Sequence, residues 1–259
     1  MKRILLWFAP LALLAAPASF EVISVKQNHS DDMRGARIQF LPGRFLATNY
    51  PLQLMIAAAW NLPFQSTRLS GGPDWIRSER FDIEATTPGG VRIPTAQMRQ
   101  MLQQLLKDRF HLVMSSSMKE LPVFFVTVAK GGPKLEKSAI DEKDCDTAPC
   151  HAFTGGQGRG LHAQAVDMGD LAKYVENWAE RPVLDKTGLH GLYRIETRPW
   201  LPMTPGPEPA VGAKAEDGSA ITDLPTLFGI FEGMGLKLEA GKAPIEVFHI
   251  DGIQRPSEN

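Results

Sequence analysis

Long apolar runs are scarce in this chain. Beyond Ile4–Ala16 nothing approaches the roughly 20 apolar residues that a bilayer-spanning helix requires, so no transmembrane segment is expected in the mature chain. Excess charge of either sign is missing too, with 28 Lys and Arg against 29 Asp and Glu and the basic residues scattered. That balance argues against nucleic-acid binding and against a polybasic membrane patch. Catalytic signatures are also absent. The histidines His29, His111, His151, His162, His190 and His249 form no His-Glu-x-x-His, and no serine occupies a Gly-x-Ser-x-Gly elbow. No catalytic residue, cofactor site or metal ligand is therefore assigned.

What is present begins with an export signal. Lys2 and Arg3 precede the apolar run Ile4–Ala16, and Ala16-Pro17-Ala18 offers small residues at the positions a signal peptidase reads. Residues 1–18 are expected to be a signal peptide, leaving a secreted or periplasmic chain from Ser19. The 43% apolar content can fill a core.

The main organising feature is an internal echo. In the later stretch, Gly160–Gln164 alternates like a strand, and Met168, Leu171, Ala172, Val175, Trp178 and Ala179 recur at helical spacing. Pro182–Leu184, a turn, and the strand Leu192–Thr197 follow. The earlier stretch has the same order: strand Arg44–Thr48, apolar helix Leu52–Trp60, strand Thr67–Leu69, and closing strand Arg80–Ala85. Beyond each copy comes a further helix and two strands, first around Met98–Leu106, Phe110–Val113 and Pro122–Val128, then around Leu224–Phe231, Leu236–Glu239 and Pro244–Ile250. Thr95 and Asp223 stand where the N-caps of these helices are expected. The pattern predicts an α+β fold of two pseudo-repeated β-α-β-β-α-β-β units packed together, with mostly antiparallel sheets and helices on one face. The first unit spans residues 19–137 and the second 160–259. Phe20–Val25 and Arg37–Phe40 add extra strands to the first.

Two polar stretches punctuate this order. Residues 138–159 form a Cys- and Gly-rich linker, in which Cys145 and Cys150 are expected to pair as a disulfide in an oxidising compartment. His151 and the carboxylates Asp141, Glu142, Asp144 and Asp146 suggest a metal site as the alternative. Adjacent Cys150 and His151 fit one tetrahedral ion poorly, however, and no second ligand pair follows at the usual spacing. Residues 201–222, rich in Pro and Gly, are expected to be a disordered insertion.

Several strings imitate active-site motifs. Asp185-Lys186-Thr187-Gly188 resembles the start of the phosphorylated-aspartate signature of P-type pumps, but Leu189 follows and turn chemistry accounts for it. Gly155–Gly160 precedes a strand rather than a helix and lacks the Lys-Ser/Thr of a phosphate loop, which reads as flexible linker. Ser70–Trp75 could present an aromatic surface to a ligand, or Trp75 could simply pack on a neighbouring helix.

Together, Phe20–Lys26, Leu69–Trp75 with Arg80–Ala85, Leu105–Phe110, Leu121–Val123, Ala129–Leu135, Leu184–Leu189 with Gly191–Tyr193, and Arg255–Asn259 resemble a large paralogous family of secreted acidobacterial proteins. Its members carry a domain of unknown function and are often labelled Soli-Usitatus family proteins. The resemblance implies no catalytic residues. Some relatives are similar to the region following a BlaR-type membrane metallopeptidase, which implies a sensory or partner-binding role.

Two function classes follow. The preferred one is an extracytoplasmic, non-catalytic binding or interaction module for an envelope protein or peptide, acting by strand addition at exposed sheet edges. The alternative is a secreted hydrolase of envelope or extracellular polymer, for which Asp74 with Glu79, or Asp82 with Glu84, offer paired carboxylates.

Overall fold

The computed structural model describes residues 19–30, 32, 35–64, 66–145, 148–156, 158–201 and 214–256. The expected signal peptide and residues 202–213 of the expected insertion lie outside them. Residues 214–222 of that stretch are folded, with Lys214 bridging Ala220 ahead of a 3-10 turn at Ile221–Asp223.

In chain order the elements are β1 (Val22–Asn28), β2 (Arg37–Leu41), β3 (Arg44–Pro51), α1 (Leu52–Ala59), β4 (Leu69–Gly71), α2 (Trp75–Ser78), β5 (Arg80–Thr86), α3 (Thr95–Phe110) and β6 (Val113–Val128). There follow β7 (Glu136–Lys137), β8 (Thr154–Gly156), β9 (Gly160–Val166), α4 (Met168–Val175), β10 (Val183–Asp185), β11 (Tyr193–Glu196), α5 (Leu227–Gly233) and β12 (Leu236–Gly252). The fold is α+β, and its sheets are mostly antiparallel. The described residues divide into two compact units, one drawn from 1–61, 72–113 and 251–259, the other from 62–71 and 114–250.

The first unit is built on the sheet β1-β5-β3-β2. Strict alternation sends Phe45 and Ala47 of β3, and Phe81, Ile83 and Ala85 of β5, into the core. Leu52, Met55 and Ile56 of α1 are buried too, as are Met98, Met101, Leu102, Leu105 and Leu106 at helical spacing along α3. Phe81 meets Phe110 edge-on, with ring centroids 5.2 Å apart. Between β3 and β5 the register runs Ala47 to Ile83, slips, and resumes at Tyr50 with Phe81. Asn49 occupies the slip at φ 49°, and its amide donates to Asp82 Oδ1 at 2.7 Å.

The second unit holds two sheets, β10-β6-β12-β4 and β7-β11-β9-β8. In the former, β4 runs parallel to β12, with Leu69 opposite Phe248, and β10 runs parallel to β6, with Val183 opposite Phe124. Phe248 N donates to Arg68 O at 2.7 Å, and Phe124 N donates to Pro182 O at 2.8 Å. In the latter sheet, Ala163 faces Ile195 and Val166 faces Tyr193, again with a slip between them. Leu161, Met168, Leu171, Ile195, Trp200, Leu227, Phe231 and Leu236 share one buried cluster.

Two expected caps differ. Thr95 is the first residue inside α3 and Pro94 takes the cap position, accepting from Met98 N at 3.1 Å while leaving no amide of its own to satisfy. α5 starts at Thr226, whose hydroxyl accepts from Gly229 N, and not at Asp223. Pro225 accounts for the shift, because it holds Leu224 extended at ψ 143° and delays the helix.

The start of the glycine-rich run expected as linker, Gly155 and Gly156, lies in β8, which pairs with β9. Its glycines permit close approach: a Cβ on Gly156, at φ 139°, would stand 2.8 Å from the Trp178 ring.

Candidate functional site

A polar cluster gathers around the disulfide loop. Cys145 and Cys150 are bonded as expected. Closing that small ring sets the 3-10 turn Glu142–Asp144 beside His151. Backbone pairing then carries the loop to the sheet: Cys150 bridges Ala165 of β9, and His151 N donates to Ala165 O at 2.8 Å. Since α4 begins directly after β9, this brings His151 to the helix start. There Asp167 and Asp170 form a reciprocal capping box, each carboxylate accepting from the other's amide.

His151 bridges the two elements. Its Nδ1 lies 2.6 Å from Asp170 Oδ2 and its Nε2 lies 2.9 Å from Glu142 Oε1. Partial burial works against the charged ring, but the hydrogen bonds and negative charge of Asp170 and Glu142 outweigh it and raise the pKa above the ordinary value. When the ring is charged, both nitrogens donate to carboxylates and neither offers the lone pair that a general base needs.

An open cavity of about 570 Å³ adjoins this cluster. Lys137, Ser138, Ile140 and Glu142 line one part of it, Gly191 and Leu192 another. Lys137 Nζ is held by the Tyr193 hydroxyl at 2.8 Å and stands 3.9 Å from the centre of that ring. Lys143 pairs with Asp141 at 3.5 Å. The lining therefore mixes both charges with an apolar floor.

Two groups of metal-capable side chains occur here, Glu142 with Cys145 and His151, and His151 with Asp167 and Asp170. Cys145 is oxidised and supplies no thiolate to the first. In the second, both carboxylates already cap α4. Asp146, part of the metal alternative, lies outside the described residues.

The carboxylate pairs suggested for hydrolysis are occupied by structural partners. Asp74 pairs with Arg77, Glu79 with Arg255, and Glu84 with Arg44. Asp82 accepts from the Asn28 side chain and the Asn49 amide. Asp185 accepts from the amide and hydroxyl of Thr187, which is turn chemistry. Trp75 packs edge-on to Phe81 with Arg255 over its ring, and so serves as packing within its unit.

Sequence reading missed the His151 bridge. Glu142 and His151 are near in sequence, but Asp170 is 19 residues on and arrives only through the Ala165 pairing. The one local signal was Asp167-x-x-Asp170 ahead of an apolar helix face, a capping-box spacing.

A family model described as a protein of unknown function, DUF3738, matches residues 53–253. Comparison with curated proteins and with solved structures gave no match.

Proposed function

The chain belongs to the DUF3738 family of unknown function, and from that premise we propose that it is a non-catalytic binding module that takes an extended peptide segment at the β7 edge of its β7-β11-β9-β8 sheet. The observation that carries this reading is the position of the cavity, which is lined by Lys137 and Ser138 of that outer edge. Ser138 N donates inward to Leu192 O at 2.9 Å. By antiparallel alternation, the amide and carbonyl of Lys137 then turn outward, where an added strand would pair. Ile140 and Leu192 offer an apolar floor for one side chain, and the mixed charges of Lys137 and Glu142 suit a polar backbone on either side. A hydrolase would need a poised acid and base, whereas the titratable groups described above are engaged in ion pairs, caps and turns.

The test is a panel of short extended peptides drawn from envelope proteins, read by fluorescence anisotropy and by hydrogen exchange at 136–140. Binding with protection of those amides supports the reading. Binding elsewhere overturns it, and cleavage of the peptides would establish the hydrolase alternative.

The two halves are further proposed to be copies. The pairs Ala47–Ile83 and Tyr50–Phe81 match Ala163–Ile195 and Val166–Tyr193, with the slip at the same step. Leu69–Phe248 likewise matches Val183–Phe124, so a short strand from each half pairs with a long strand from the other. That exchange is the pattern of a swapped dimer fused into one chain. Sequence profiles of the two halves, built from many family members, should align in this register. Failure to align would remove the duplication.

Export is proposed as well, on the signal-like residues 1–18 and a disulfide that fits an oxidising compartment. N-terminal sequencing of the exported protein should begin at Ser19.

A further inference from the structure

We propose that His151 is a pH-operated clasp: as an imidazolium it ties the disulfide loop, through Glu142, to the first turn of α4, through Asp170, and loss of its proton frees the loop. The reason is proton count. A neutral imidazole has one N–H, while the ring sits between two carboxylates at 2.6 and 2.9 Å. After deprotonation one carboxylate must face a lone pair and is repelled. Asp170 is the better anchored of the two, because its Oδ2 also accepts from Asp167 N at 3.0 Å and the pair caps a helix. Glu142, 70% exposed on a single 3-10 turn, is the one released.

The surroundings fit a device with limited travel. Asp170 from α4 and Glu142 from the 3-10 turn face the ring directly, and the metal-capable atom of Asp167 lies within 4.8 Å of those of His151 and Asp170. The adjacent cystine does not titrate, and Lys143, the cation on the same turn, is turned to Asp141. The His151 backbone, at φ 54°, is anchored by the hydrogen bond its N–H donates to Ala165 O, so the ring stays in place while the turn moves. The disulfide limits the opening to the turn and its neighbours. Glu142 also lines the cavity, so opening alters that wall whatever the cavity binds. The raised pKa places the change on the alkaline side of the ordinary histidine value.

The experiment uses the intact exported protein. NMR follows the His151 imidazole nitrogens against pH, and hydrogen exchange, corrected for its intrinsic pH dependence, follows Cys145 N, which donates to Glu142 O. The expected result is a midpoint above about 6.5, with protection at Cys145 falling about tenfold per pH unit beyond it, as the imidazolium fraction does. Glu142→Gln, which leaves the capping box intact, should move the midpoint down towards the ordinary value and flatten the exchange profile. A midpoint at or below the ordinary value overturns the clasp. So does protection that ignores the titration, or a Glu142→Gln variant with an unchanged midpoint and profile. The wild-type titration alone decides the matter if the variant folds poorly.

Discussion

Arg255 grips Glu79 through two nitrogens, with Nη2 2.6 Å and Nε 3.0 Å from the carboxylate, while its guanidinium stands 4.9 Å from the centre of the Trp75 ring. Gln27 adds a bond to the same carboxylate at 3.3 Å, and Gln254 N donates to Phe110 O at 2.7 Å. The tail after β12 is thus fastened to α2 and α3 of the first unit. Arg255→Ala should raise hydrogen exchange at Gln254 and across 75–79 while leaving the main melting transition nearly unmoved, since Arg255 is exposed. Arg255→Lys should not restore protection, because an ammonium lacks the planar fork that spans a carboxylate and stacks on indole. Unchanged exchange in Arg255→Ala would show that Gln254 holds the tail without it.

Phe81 on β5 and Tyr193 on β11 are both buried, at 1% and 5% exposure. Phe81→Ala and Tyr193→Ala should each cost about 3–5 kcal/mol by chemical denaturation. Arg194→Ala removes a surface ion pair with Glu136 and should cost under about 1 kcal/mol. Sequence alternation alone would make Asp82→Ala equally cheap. In the structure Asp82 is half-buried and accepts from Asn28 and Asn49, so about 1–3 kcal/mol is expected instead. A cheap Asp82→Ala would mean that water replaces those bonds.

This contrast shows which parts of the fold could be read from sequence. Period-two alternation marked β3, β5, β9 and β11, and helical spacing marked α1, α3 and α4, because burial of one face is a local pattern. Phe81, Ile83, Tyr193 and Ile195 were legible for the same reason. The pairing of β4 with β12 was not, since nothing near Leu69 specifies the distant Phe248 as its partner. The glycine-rich run was misread as linker because close packing against Trp178 needs Gly156 for steric reasons, and composition cannot separate that need from flexibility. The candidate site was half legible. The two cysteines announced their bond, but the Asp170 partner of His151 depends on a backbone pairing with Ala165 that no spacing encodes.

The disulfide should contribute little to global stability. Cys145 and Cys150 are five residues apart, and a ring of that size is worth about 2 kcal/mol on the chain-entropy view. Cys145→Ser with Cys150→Ser should lower stability by no more than that in urea melts, while exchange at 142–151 increases. A loss of most of the protein's stability would show that the loop supports the second unit's core.

Histidine charging should also shape stability against pH. His162 Nε2 faces the Arg159 carbonyl and Nδ1 faces Glu196. The carbonyl bond, opposed by burial and aided by Glu196, raises its pKa. A raised folded pKa means that the stabilisation is complete below the ordinary value of about 6.5 and is lost as pH rises through the folded value. Glu176 acts in the same direction at lower pH: burial raises its pKa, partly offset by Arg68 at 3.5 Å, so stability declines as pH climbs from the ordinary carboxylate value through the raised one. Subtracting a His162→Gln stability profile from wild type should leave a difference that fades above pH about 6.5. A difference that grows with pH would reverse the assignment.

Gly156 offers the sharpest separation of backbone strain from packing. A Cβ there would stand 2.8 Å from the Trp178 ring, which itself meets Trp200 edge-on at 5.4 Å and Tyr174 at 5.2 Å. The indole therefore has aromatic neighbours on two sides and cannot retreat without disturbing them. Gly158 is the control, since it also has a positive φ, 73°, but a Cβ there meets nothing within 4 Å. Gly158→Ala should cost only the left-handed backbone penalty, about 1–2 kcal/mol. Gly156→Ala should cost a further 1–3 kcal/mol or so from overpacking together with its less tolerant φ of 139°, with a shift in tryptophan emission as the ring moves. Trp178→Leu in the Gly156→Ala background should recover part of that extra cost by making room. Equal losses for the two glycine variants, or no recovery in the double variant, would show that β8 gives way before the indole does.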